Sequence, residues 1–374
     1  MRWSSSVVGF RGCVRRRSYR RPWRVPRPRA TITSAAHLHS VRETTQVSHA
    51  VDVDAVRAAR ERVSDRVHRT PLFGSRTLGD RIGAPVLLKC ENLQKTGSFK
   101  PRGALNRLLT LESGARDRGV ITISAGNHAQ ALAWAGGAAG VPATVVMPES
   151  APRSKVRACH GYGAEVILHG DVFEAFQRSL ELADERALTF VHPFDDERIV
   201  AGQGTAALEI AEDADDLAAV VVPVGGGGLI SGIAVAMAGL DPSIRIYGVE
   251  PEGAAAMRRS LDAGEALHLD EVDTVADGLA APMAGNLTYE LVRRYVEDVV
   301  VVSDAEIVEA MELILARCKL LVEPAGAAGV AALLAGRIPL PNGPVAAVLS
   351  GGNVDLDRLP ELFALAEGEG SSAG

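Results

Sequence analysis

Lysine is scarce in this chain, with five among 374 residues: Lys89, Lys95, Lys100, Lys155 and Lys319. Each is therefore worth reading by position and not as generic surface. Aromatics are also few, at 4%, although hydrophobic residues reach 47%. That excludes a core of stacked rings and implies one of Ala, Val, Leu and Ile, which suits sheets closely covered by helices. The four cysteines, Cys13, Cys90, Cys159 and Cys318, are isolated and form no Cys-x-x-Cys pair. Neither a zinc ribbon nor a disulfide framework follows from that spacing, and a reducing, cytoplasmic setting is expected.

Acidic residues are missing from residues 1–42, which hold eleven of the 40 basic residues, all arginine. Beyond them, 29 basic residues face 46 acidic ones, a net of −17. So acidic a body argues against nucleic acid and anionic membranes as partners. Any anion must be held locally, by backbone amides or a few placed cations. Residues 1–48 have no apolar periodicity and no continuous apolar core. They read as a disordered extension or as an organelle-targeting segment. One uncharged run, residues 217–240, is long enough to span a bilayer, but Pro223 and four successive glycines interrupt it. A buried strand, a glycine turn and a buried helix are predicted there, and no membrane span.

The length suggests two domains. After an amphipathic helix over 53–66, strands are expected at 85–90, 120–124, 143–147, 164–168, 190–192, 220–224, 245–249, 299–302 and 346–350. Helices are expected at 128–138, 154–161, 173–186, 202–211 and 228–238. Ser303 and Glu306 form a capping box for a further helix ending near Lys319. Strands alternating with helices imply parallel sheets wrapped by helices, an α/β fold.

Four strand ends carry the chemistry. Gly225-Gly226-Gly227-Gly228-Leu229 closes an apolar strand and opens an apolar helix. Its amides converge on one place, which suits a doubly charged phosphate. The dinucleotide fingerprint fails in both registers, since Gly225 and Gly227 are followed by Ile230, and Gly226 and Gly228 by Ser231. No Lys-Ser or Lys-Thr follows either, so a compact phosphate monoester fits better than a nucleotide. Lys100 follows Phe99 and the glycine turn at Gly97, at the start of a helix. Desolvation beside a helix N-terminus lowers a lysine's pKa and favours the free amine that forms Schiff bases. Ser124-Ala125-Gly126-Asn127-His128 is another strand end entering a helix, and its donors suit a substrate carboxylate. Ser350-Gly351-Gly352-Asn353 is the fourth. Ligands of parallel sheets sit at such carboxyl ends.

These runs, with Val275-Ala276-Asp277-Gly278 and Glu323-Pro324-Ala325-Gly326, resemble the threonine/serine dehydratase branch of the fold-type II pyridoxal-phosphate enzymes. The resemblance covers residues 64–359. It implies a tryptophan synthase β-like fold: two open parallel-sheet α/β domains with pyridoxal 5'-phosphate in the cleft between them. Residues 49–95 and 196–360 would form the cofactor-binding domain, 96–195 the smaller substrate-side domain, and 361–374 a flexible tail. Lys100 would carry the cofactor as a Schiff base and remove the substrate's α-proton, with Phe99 packed beside the ring. Gly225, Gly226, Gly227, Gly228 and Leu229 would bind the phosphate, Asn127 the ring hydroxyl, and Ser350 the ring nitrogen. Residues Ser124, Ala125, Gly126, Asn127 and His128 would bind the substrate carboxylate.

The implied reaction is loss of water and ammonia from L-threonine, or from L-serine as a secondary activity. A 3-hydroxyaspartate dehydratase is an alternative within the class. A β-replacement synthase, a serine racemase or a non-catalytic relative are alternatives outside it. Racemases of this family carry a second serine where Ala125 stands. Members that bind a divalent cation use a Glu and an Asp six residues apart. Here Glu250 is followed at that spacing by Ala256. A homodimer or homotetramer acting on a small amino acid is expected.

Overall fold

The computed structural model describes residues 51–340 and 342–370, so the arginine-rich extension over 1–48 lies outside it. Among the described residues ten strands appear in chain order: β1 (Leu72–Gly74), β2 (Val86–Lys89), β3 (Val120–Ile123), β4 (Ala143–Met147) and β5 (Glu165–Leu168). Then come β6 (Thr189–Phe190), β7 (Ala219–Pro223), β8 (Arg245–Pro251), β9 (Asp298–Val302) and β10 (Val345–Val348). They build a six-stranded sheet of order β1-β2-β10-β7-β8-β9 and a four-stranded sheet of order β5-β4-β3-β6. Every pairing is parallel except β1 with β2. The antiparallel edge departs from the expected all-parallel sheets. Three residues without a clear hydrophobic alternation give β1 no sequence signature.

Strands β7 and β10 are buried on both faces, which accounts for their continuous Val/Ala runs. The helices Pro324–Leu334 and Asp304–Leu313 pack one face of the six-stranded sheet, and Gly228–Leu240 packs the other. The uncharged run therefore folds as β7, a glycine turn and a buried helix. Among the described residues no helix is long and apolar enough to cross a membrane. Pro324–Leu334 is buried all round, so it lacks the polar stripe that would reveal it in the sequence. The chain from Leu359 to Gly370 is helical, where a flexible tail is expected from 361. Leu359, Leu362 and Phe363, at helical spacing, dock it on the core.

The chain crosses between the sheets twice, through the helix Lys100–Leu109 and back through the helix Glu197–Asp213. Glycines let these helices touch backbone to backbone, and let Gly228–Leu240 pack as closely on the second of them. A Cβ on Gly202 would lie 2.6 Å from the Arg102 carbonyl oxygen, and one on Gly232 would lie 2.3 Å from Val200 O. A buried ionic cluster ties the crossings together. Arg102 donates bidentately to Glu91, through Nε and Nη2, both at 2.8 Å. It also donates to Glu209, through Nη1 at 2.7 Å and Nη2 at 2.8 Å. Lys89 Nζ adds bonds to Glu209 at 2.6 Å and to Thr70 O at 2.7 Å. Burial alone would raise the Glu91 pKa, but the Arg102 guanidinium holds it below the usual carboxylate range.

Two cations and two carboxylates balance without water, so removal of one strands its partners. Arg102→Met is expected to cost about 3–5 kcal/mol, read as a lower urea midpoint. An unchanged midpoint would show the cluster to be dispensable.

Candidate active site

The carboxyl ends of β2, β3, β6, β7 and β10 surround one cavity of about 530 Å³. Every residue expected to bind cofactor or substrate lines it: Phe99, Lys100, Ser124 to His128, Gly225 to Leu229 and Ser350. Glu250, the residue at the cation position, is not among those lining it.

Lys100 opens its helix beside the turn at Gly97, and its Nζ donates to Pro193 O at 2.8 Å. The amine lies 5.1 Å from the centre of the Phe99 ring. Burial lowers its pKa to about 8, which makes the neutral amine accessible near physiological pH. The backbone of the lysine turn is hydrogen-bonded to the last strand end: Phe99 N donates to Ser350 O at 3.1 Å, and Gly352 N to Gly97 O at 2.9 Å. Ser350 Oγ is buried and donates to Ala325 O at 3.4 Å.

Two runs of backbone amides beside the cavity find no protein acceptor among the described residues. In the first, Gly225 to Ile230, the first amide to find an acceptor is Ser231 N, with Gly227 O at 3.0 Å. Gly227 has φ +90°, the left-handed conformation that turns the chain into the helix. Thr288 Oγ1 braces the loop by donating to Gly226 O at 2.7 Å. In the second run, Asn127 and His128 begin the helix Asn127–Ala139 with unengaged amides, while Gly126 N is satisfied by Ser124 Oγ at 3.1 Å. Both helix N-termini carry partial positive charge.

His128 is buried, with Nε2 3.3 Å from Val191 O. Burial first, and then the charge of Lys100, push its pKa down to about 3. The imidazole is neutral and can contact a ligand without adding charge.

Several participants carry no role in the sequence reading. His192 Nδ1 accepts from Asp195 N at 2.8 Å and Phe194 N at 3.3 Å, shaping the turn whose Pro193 carbonyl meets Lys100. Phe194 lies over the glycine loop, so a Cβ on Gly226 would sit 2.3 Å from its ring. Glu323 is buried beside Asn127, and burial raises its pKa against the Asn127 hydrogen bond. The only available signal for these residues was their place just after a strand or inside a quoted motif.

Glu250 is engaged by backbone amides. Its two oxygens accept from Met257 N and Arg258 N, both at 2.8 Å, capping the helix Ala256–Ala263 from within the protein. Burial pushes its pKa up to about 8. Among the described residues no group of three or more His, Cys, Asp or Glu side chains could hold a metal ion.

A family model described as pyridoxal-phosphate dependent enzyme matches residues 63–351. The L-threonine ammonia-lyase of Thermotoga maritima is 44% identical over 314 residues, covering 84% of this chain and 78% of that protein. The L-threo-3-hydroxyaspartate ammonia-lyase of a Pseudomonas species is 42% identical over 311 residues, covering 83% and 97%. The solved structure of maize serine racemase aligns with a TM-score of 0.81 at 38% identity, covering 86% of this chain and 99% of that one.

The low His128 pKa has a measurable sign. An unfolded histidine takes up a proton below about pH 6.5, and native His128 does so only near 3. Its contribution to stability is full above the unfolded value and is lost as pH falls toward 3. Its ring NMR signals are expected not to titrate between pH 5 and 9, and a titration near 6.5 would refute the buried neutral state.

Proposed function

The chain belongs to the pyridoxal-phosphate dependent enzymes, and we propose that it converts L-threonine to 2-oxobutanoate and ammonia, with L-serine to pyruvate as a secondary activity. One juxtaposition carries the reading: a desolvated lysine amine between two sets of unengaged amides in one cavity. One set suits a phosphate and the other a carboxylate, the two anions of a cofactor and its amino-acid substrate.

The residues present fit the cofactor. Lys100 would hold its aldehyde carbon, and the amides of Gly225 to Leu229 its phosphate. Side chains on Gly226 and Gly228 would collide with Phe194, so only glycine lets the loop pass beneath that ring. Asn127 would donate to the ring hydroxyl, and Ser350 would face the ring nitrogen. Bound pyridoxal phosphate supplies an electron sink that acidifies the substrate's α-carbon.

The protein then decides the outcome. The amides at Asn127 and His128 orient the carboxylate. Neutral Lys100 Nζ is the base for the α-proton. The Ser350 hydroxyl cannot give the ring nitrogen a full proton as an aspartic acid would. The sink stays weak, which favours prompt loss of the β-hydroxyl. Ala125 offers no hydroxyl to return a proton from the opposite face, which opposes racemisation. Lys155 and Arg358, the other cations lining the cavity, already meet Asn353 O at 2.6 Å and Asp277 at 3.2 Å. A homo-oligomer is the expected assembly.

Two outcomes follow. Uptake of pyridoxal phosphate by the apoprotein needs the neutral amine, so the rate of colour development is expected to rise with pH through about 8 and then level. A flat profile over roughly pH 6.5 to 9.5 would contradict the desolvated lysine. Release of 2-oxo acid is expected to be faster from L-threonine than from L-serine or 3-hydroxyaspartate. In Lys100→Ala it should fall by about 10²–10⁴-fold or more, with loss of the visible band. Faster turnover of 3-hydroxyaspartate would reassign the substrate.

A further inference from the structure

Asn127 sits in a chain of side-chain hydrogen bonds that reaches back to the lysine turn. Asn353 Nδ2 donates to Thr96 O and to Asn127 Oδ1, both at 2.7 Å. Asn127 Nδ2 donates to Glu323 Oε1 at 2.6 Å. Each link has a direction. The Thr96 carbonyl can only accept, so Asn353 must turn its NH₂ toward it. That NH₂ also faces Asn127, which must answer with its oxygen. The Asn127 NH₂ is thereby turned the other way, one hydrogen to Glu323 and the second toward the cavity that Asn127 lines.

The surroundings leave little freedom for another arrangement. A Cβ on Gly97 would lie 2.5 Å from Asn353 Oδ1, and one on Gly351 would lie 2.2 Å from Glu323 Oε1. Both side chains therefore press on bare backbone. Thr96 itself holds φ 58°, a left-handed conformation rare without glycine, and its carbonyl is the one Asn353 ties down.

We propose that Asn353 and Glu323 are positioning residues that lock the Asn127 amide with its NH₂ toward the ring hydroxyl and couple it to the turn carrying Lys100. The inference rests on the assignment of Asn127 as a donor to the cofactor. A flipped amide would set its oxygen against another acceptor and lose that bond.

The test uses the full-length holoenzyme. Asn353→Asp keeps the shape and removes the donor, so Asn127 must turn its NH₂ toward the new carboxylate. The expected result is a shifted visible absorption band, with a changed pH dependence of that band, in protein free of substrate. The kcat for L-threonine should fall by about tenfold, the scale of one hydrogen bond, with KM within about threefold. Glu323→Gln retains an acceptor and is expected to keep the wild-type band, whereas Glu323→Ala shifts it. This pair decides the matter if Asn353→Asp does not fold. A coloured wild type whose band survives both Asn353→Asp and Glu323→Ala overturns the relay and leaves the function reading intact. A wild type that takes up no pyridoxal phosphate overturns both.

Discussion

Arg102 is buried, and its guanidinium binds two carboxylates at once, each through a fork of two bonds. The two carboxylates come from different segments: Glu91 follows β2, and Glu209 lies on the helix that returns to β7. Both passages between the sheets therefore converge on one planar cation, with Lys89 balancing the charge. A carboxylate that lost this contact in a dry interior would face a desolvation cost with nothing to offset it. Arg102 stands two residues after Lys100, so the same cluster fixes the first turn of the helix that presents the reactive amine.

Placement of the site follows from that fixed crossing. The helices around it meet backbone to backbone at Gly202 and Gly232, which explains a core so poor in aromatics. The N-termini of Gly228–Leu240 and Asn127–Ala139 leave amides without an acceptor, among the described residues, at the carboxyl ends of β7 and β3. Such amides are positive without titrating, so they hold anions across a wide pH range. Lys100, which does titrate, is brought by the same burial to where its neutral form is available. Burial thus acts twice, sharpening the amide dipoles and lowering the amine's pKa.

Relatives named for threonine deamination, hydroxyaspartate deamination and serine racemisation share this scaffold. What separates them must lie in small differences at the cavity wall. At this chain's cavity wall stand Ala125, which has no hydroxyl, Ser350, which has no acidic group, and Lys155, whose amine already meets Asn353 O at 2.6 Å.

By itself the sequence determined the alternating strands and helices, the glycine turn and the four strand-end runs. Those depend on local patterning and on residues adjacent in the chain. Lys100 was legible because a glycine turn, a following helix and the scarcity of lysine all lie within a few positions. Tertiary structure alone decided the antiparallel β1 and the docking of Leu359–Gly370, since a three-residue strand and a short helix carry too little pattern to stand out. It alone turned Glu250 inward to cap a helix. It also joined Thr96, Asn127, Glu323 and Asn353, which are separated by up to 257 positions. A hydrogen bond between side chains so far apart leaves no periodicity behind. Only the packing that brings the strand ends together determines its direction.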